Sequence, residues 1–154
     1  MKQGRLLVVD ASVARSAGES ENLVSSSCRE CLEAIRLICH RVAMTPDIQE
    51  EWDRHMSRFT RKWRRSMAAR RKAIRRVDPA SIHLNLDAYS ASAKSAIEKD
   101  LHLLQAALAA DRVIVTRDDS LRAALDGRPD GVALAGTIKW INPITDDLEV
   151  LNSL

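Results

Sequence analysis

The chain has 154 residues, 45% of them hydrophobic and 29% charged, which suits one packed domain and excludes a globally disordered chain. No apolar run approaches the ~20 residues of a membrane span, and the polar Met1–Arg5 leads into a run, Leu6–Val9, too short for a signal-peptide core, so a soluble, cytoplasmic protein without a membrane partner is expected. The net charge of +3 is uneven: residues 1–53 carry six Lys/Arg against nine Asp/Glu, residues 54–76 eleven against none, and residues 77–154 seven against twelve, an asymmetry that points to a polyanionic partner.

In chain order, Leu6-Leu7-Val8-Val9 reads as a buried strand ending in Asp10. Leu23–Val42 reads as a helix, its start marked by the capping box Ser27-x-x-Glu30. Cys28, Cys31, Leu32, Ile35, Ile38, Cys39 and Val42 fall at helical spacing, so the cysteines read as buried and reduced, with a Cys28-x-x-Cys31 metal site as the lesser alternative. Thr45-Pro46 is an N-cap and first turn opening a basic helical segment at about 46–77, stopped by Asp78-Pro79. A single helix of that length would reach roughly 48 Å, so an internal break is expected. Residues 79–94 are weakly patterned. Ser95-Ala-Ile-Glu98 is a second capping box, opening a helix to about Ala110 with Ile97, Leu101, Leu104 and Leu108 as its stripe. Val113–Thr116 is a second strand, followed by Asp118 and Asp119; Leu121–Leu125 is a short helix; Thr137–Ile141 is a third strand. Strands separated by helices predict a single three-layer α/β/α domain over 1–154 with a mainly parallel sheet.

Two of these strands end in acids. The carboxyl ends of parallel strands open onto one crevice, so Asp10 and Asp118 are expected to converge. Glu51, shortly after Thr45-Pro46, and Asp100, about 60° from the centre of its helix's apolar stripe, are candidates to join them. Converging like charges repel, raise a pKa or need a cation, and hard oxygen ligands favour Mg²⁺ or Mn²⁺ over zinc. Each acid alone has an ordinary reading as a turn, surface or first-turn residue; the case rests on the set.

The order and spacing of these motifs resemble PIN-domain ribonucleases over nearly the whole chain. The resemblance is carried by Leu7-Val8-Val9-Asp10-Ala11-Ser12-Val13, by Thr45-Pro46-Asp47-Ile48-Gln49-Glu50-Glu51-Trp52, and by the acid-headed helix from Asp100 followed by Val113-Ile114-Val115-Thr116-Arg117-Asp118. It implies a PIN-like fold, Asp10, Glu51, Asp100 and Asp118 as catalytic and metal-holding residues, Mg²⁺ or Mn²⁺ as cofactor, and hydrolysis of RNA phosphodiesters. Ser12, Thr116 and Asp119 are possible supporting residues. The chain departs from the family where many members carry a further acid, at Ser120, and the Glu50-Glu51 doublet leaves two registers, of which Glu51 is preferred. The resemblance also implies a possible role as the toxin of a toxin–antitoxin pair, with a small antitoxin and self-association as partners, or a role in RNA processing.

In the basic segment Trp52, Met56, Phe59, Trp63, Met67, Ile74 and Val77 share one helical face and read as packing. Arg54, Arg58, Arg61, Lys62, Arg65, Lys72, Arg75 and Arg76 lie opposite. With no acid inside the run, i,i+4 pairing does not account for them, and the favoured reading is an RNA-backbone surface with Arg54, Arg58, Arg61, Lys62 and Arg65 in contact. A protein or anionic-surface partner and a merely solvated face are the alternatives. At the level of function, the alternative to an endoribonuclease is a non-catalytic RNA-binding module or a partner-regulated RNA-processing factor. A phosphotransfer or receiver-type domain fits less well, because Asp10-Ala11-Ser12 lacks a second Asp and Lys139 is the one strand-borne lysine near the C-terminus.

Overall fold

Leu6–Val9 is buried along its whole length, as a strand covered on both faces requires. It is the middle strand of a computed structural model that describes residues 4–70 and 73–154. Among these residues, strands β1 (Leu6–Val9), β2 (Arg41–Met44), β3 (Ile74–Arg76), β4 (Val113–Val115) and β5 (Lys139–Ile141) form one sheet. Its order is β3-β2-β1-β4-β5 and every neighbouring pair is parallel. The helices are α1 (Ala11–Ser16), α2 (Leu23–Ile38), α3 (Pro46–His55), α4 (Arg58–Ala69), α5 (Ala91–Leu108), α6 (Ser120–Leu125) and α7 (Pro129–Gly136), with short 3₁₀ turns at Leu86–Ala88 and Leu148–Ser153. One helical group links α1 with α2 and α3, and α2 with α4; in the other, α5 packs on β1, β2 and β4 and carries α6, which meets α7. This is the expected three-layer α/β/α arrangement, with an all-parallel sheet.

Several helix boundaries differ from the sequence expectation. Helix α2 starts at Leu23 as expected, but its cap is Asn22, whose side chain accepts the Ser25 N–H (2.8 Å), and Ser27 and Glu30 lie inside the helix. It stops at Ile38, where Cys39 turns left-handed (φ 68°), and Arg41–Met44 forms β2 instead of prolonging the helix to Val42. The 46–77 segment is likewise not one helix. Thr45 caps α3 by accepting the Ile48 N–H (3.3 Å), but the chain breaks at Met56-Ser57. Ser57 donates its N–H to the Ala14 carbonyl (3.1 Å) and caps α4 by accepting the Thr60 N–H (3.1 Å). The break lets Trp52 and Trp63 pack together in the core, ring centroids 6.2 Å apart. Their indole N–H groups donate to the Val9 carbonyl (2.9 Å) and the Leu32 carbonyl (2.7 Å), tying α3 to β1 and α4 to α2. Ile74–Arg76 is the edge strand β3, not helix; Lys72 lies outside the described residues.

Helix α5 begins at Ala91, capped by Ser90, so Ser95 and Glu98 lie inside it rather than at its start. It is bent at Asp100 (φ −115°, ψ 16°). The bend rotates the two halves relative to one another. Ile97 is buried before it and Leu103, Leu104, Ala106 and Ala107 after it, while Leu101 and Leu108 of the expected stripe are half-buried. Cys28 and Cys31 are buried free thiols on α2, and burial pushes the Cys31 pKa up to about 12. Cys39 is exposed, contrary to expectation, because the left-handed cap turns it away from the core. Among the described residues no helix is long and apolar enough to cross a membrane.

Candidate functional site

From β1 the chain winds outward through β2 to β3, then returns to place β4 on the other flank of β1. Connections leaving β1 and β4 therefore diverge, and the gap at their carboxyl ends is the topological switch point where ligands enter such sheets. Val9 and Val115 are paired, and the Asp10 N–H donates to the Val115 carbonyl (2.8 Å). Asp10 and Thr116 consequently emerge side by side. The crevice there is lined by Asp10, Ser12, Glu51, Asp100 and Asp118, together with Arg15, His55 and Lys99. The four acids expected from the sequence thus line one crevice, each from a different element.

Each carboxylate is held differently. Asp10 is buried, and one of its oxygens, Oδ2, accepts from the hydroxyls of Ser12 (2.7 Å) and Thr116 (2.8 Å). Asp118 accepts the Ser120 N–H (2.9 Å) and hydroxyl (2.6 Å) through Oδ1, and these bonds lower its pKa. Ser120, at the position where the resemblance leads one to look for a further acid, instead orients Asp118. Glu51 lies 3.1 Å from Nε2 of His102, whereas Glu50 is exposed and pairs with Arg54 (2.7 Å). Asp100 sits at the bend in α5, in the sparsely populated region of backbone conformation that active-site residues often occupy. Its pKa is raised to about 6, first by burial and then by the charge of Asp10, against the opposing pull of His102 and Lys99. Asp119 faces away, into a neighbouring pocket with Arg122, Asp126, Trp140 and Asn142, where both its oxygens lie 3.4 Å from Nδ2 of Asn142.

No protein-family model, no curated protein and no solved structure matches this chain. Its chemistry must be read from the crevice itself.

Four carboxylates against Arg15 and Lys99 leave the crevice with an excess of two negative charges when all are ionised. The raised pKa of Asp100 is the physical sign of that excess combined with burial. The donors are hard oxygens, the type that suits Mg²⁺ or Mn²⁺, and in donor chemistry the crevice fits such an ion. Among the described residues, however, no three His, Cys, Asp or Glu side chains stand in a preformed metal-holding group. The acids line a common space without closing on a point.

Sequence reasoning did not single out four polar residues of this neighbourhood. His55 stands one turn after Glu51 on the same helix face, and Arg15 one turn after Ser12, so helical spacing carried a signal for both. Lys99 adjoins Asp100. His102 carried none, because its meeting with Glu51 depends on how α5 crosses α3.

Arg54, Arg58, Arg61, Lys62 and Arg65 are all exposed. They are divided between α3 and α4 and do not form one continuous helical stripe. Ion pairing also takes up part of the basic run: Arg54 pairs with Glu50 one turn earlier, and Arg64 with Asp53 (2.7 Å). The acids before residue 54 therefore do reach this surface. Arg58, Arg61, Lys62 and Arg65 have no such partner among the described residues.

Proposed function

We propose that the chain is a metal-dependent endoribonuclease of the PIN type. The observation that carries this reading is the convergence of Asp10, Glu51, Asp100 and Asp118 on one crevice at the switch point of a parallel sheet. Asp10, Asp100 and Asp118, with Glu51, are the residues that would hold Mg²⁺ or Mn²⁺, which supplies an activated water and neutralises charge developing on the phosphate. The residues of the chain perform the rest. Ser12 and Thr116 fix the Asp10 carboxylate, and Ser120 keeps Asp118 ionised. Arg15 and Lys99, which line the crevice, offer positive charge to a phosphate, and the exposed arginines of α4 are a separate surface that could hold the RNA backbone. Asp100, whose ionisation is disfavoured by burial and by Asp10 in the metal-free protein, is a carboxylate that a bound cation would stabilise in its charged form.

A second reading, a non-catalytic RNA-binding module or partner-regulated processing factor with the same crevice, is favoured by the absence of a preformed metal-holding group among the described residues. A place in a toxin–antitoxin pair, with a small antitoxin and self-association, belongs to the nuclease proposal through the motif resemblance alone.

The test is incubation of the protein with a mixed RNA pool in Mg²⁺, in Mn²⁺ and in chelator, followed by sequencing of the RNA ends. The nuclease reading expects metal-dependent ends that vanish in Asp10→Asn and Asp118→Asn. Binding of RNA without new ends under either metal selects the module. Ends that persist in both variants reject this crevice as the site.

A further inference from the structure

The edge of the sheet opposite the crevice carries the reverse charge. Strand after strand begins at a cation: Arg5 precedes β1, Arg41 opens β2, Arg112 precedes β4 and Lys139 opens β5. Backbone hydrogen bonds join neighbouring strands here, but the cations are staggered: Arg41 is level with Leu6 and Lys139 with Val113, each one residue further along than Arg5 and Arg112, so they alternate in height and face. The Arg41 N–H donates to the Arg5 carbonyl (2.8 Å) and the Lys139 N–H to the Arg112 carbonyl (2.9 Å). On the outer flank Arg75 pairs with Ala43, two residues along β2 from Arg41, and so shares its face. In sheet order the row reads Arg75, Arg41, Arg5, Arg112, Lys139. With neighbouring strands ~4.8 Å apart, it extends about 19 Å. Four of the five are exposed and Arg41 is half-buried, and among the described residues none of them is ion-paired.

Two acids adjoin this row, Asp78 and Asp111. The Asp111 carboxylate accepts the Leu6 N–H (2.7 Å) and keeps its charge, so five cations against two acids leave this edge with an excess of three positive charges. A second observation concerns the backbone. Arg112 has φ 61°, just beyond the end of α5, where its N–H donates to the Ala107 carbonyl (3.1 Å). Glycine is the usual occupant of such a left-handed helix terminus, and a long side chain kept there against that preference suggests that the side chain has a use.

We propose that this edge is a second, non-catalytic track for single-stranded nucleic acid, gripping the phosphate backbone away from the crevice. The proposal rests on the RNA-directed reading above for its class of partner, not on cleavage. Four of the five groups are guanidiniums, whose planar forks match phosphate oxygens. They are spread one per strand across all five strands, staggered along the sheet's edge, a reach that suits an extended backbone better than a single phosphate. Contacts of this kind position a strand without reading its bases.

The test is binding of a roughly 30-nucleotide single-stranded RNA to metal-free protein at several salt concentrations, long enough to engage more than one surface. The triple variant Arg5→Gln, Arg112→Gly, Lys139→Gln should bind about tenfold more weakly or worse in low salt. Its slope of log K against log salt should flatten by about 2, since each lost single-strand phosphate contact is worth ~0.7. Arg112→Gly alone should weaken binding without lowering Tm, because glycine suits the left-handed backbone. Unchanged affinity and slope in a folded triple variant overturn the proposal. So does a triple variant that loses binding to phosphatidylserine vesicles while keeping its RNA affinity, since the edge would then face a membrane. If the triple variant binds RNA as the parent does while the parent cleaves, this inference alone fails. If it loses RNA while the parent never cleaves in Mg²⁺ or Mn²⁺, the nuclease reading alone fails.

Discussion

Replacing Asp100 by Asn should stabilise the metal-free protein, and only above a definite pH. The folded protein holds the Asp100 pKa at about 6, against 3.8 for an ordinary aspartate. The folded state therefore keeps a proton that the unfolded state releases, and stability falls as pH rises from about 4 to about 6. Above that window the folded protein carries the full cost of an ionised carboxylate that is partly buried and faces Asp10. Two pKa units correspond to about 3 kcal/mol, and partial exposure of the crevice reduces this to about 1.5–3 kcal/mol. Asn keeps the shape and removes the charge. At about pH 7.5 in chelator, Asp100→Asn should raise Tm by roughly 3–12 °C, taking 2–4 °C per kcal/mol for a chain of this size. Near pH 4 parent and variant should melt together. Added Mg²⁺ should stabilise the parent more than the variant, because the variant no longer needs the compensating charge. Thermal melts at the two pH values decide the matter: a gain of equal size at both, or none at pH 7.5, would show that crowded charge does not govern Asp100.

Thr116→Val removes a hydroxyl from the buried Asp10 carboxylate; a loss of about 1–2 kcal/mol in denaturant melts is expected, with a larger proportional loss of metal-stimulated cleavage. Asp118→Asn should abolish cleavage while Asp119→Asn, which faces the neighbouring pocket, retains most of it, as rates on a labelled RNA will show. Charge reversal at Arg58, Arg61 and Arg65 should flatten the salt slope of RNA binding by about 2 and leave metal affinity, measured by calorimetry, nearly unchanged.

Three strands could be read from the sequence, β1, β4 and β5; β1 and β4 are buried along their whole length and carry the two strand-end acids. The strands that could not are informative for physical reasons. Val42-Ala43-Met44 continues the helical spacing of Ile35 and Ile38, and only the left-handed Cys39 separates them; a cysteine gives no warning of such a turn. Ile74 is the sole apolar residue of β3, since an edge strand flanked by arginines protects itself by charge and so resembles a polar helix. The break at Ser57 was hinted at by helix length alone, because Trp52 and Trp63 lie on one face of a straight helix and pack just as well across a bend. For the site, position along strands and helices was enough to bring four acids together. Ser12 and Thr116 were legible as well, and spacing pointed to His55 and Arg15, but the meeting of His102 with Glu51 depends on how α5 crosses α3, which a linear pattern does not encode.

The bend at Asp100 divides α5 into two parts with unequal anchorage. Beyond it, Leu103, Leu104, Ala106 and Ala107 are sunk in the core, whereas before it Ile97 is the buried hydrophobic residue. Local opening follows the number of buried apolar contacts, so amide protons in 103–108 should exchange more slowly than those in 91–98, as hydrogen exchange will show. Asp100 stands at the boundary between them. The carboxylate whose ionisation burial disfavours thus stands where the weakly anchored half of α5 meets the half sunk in the core.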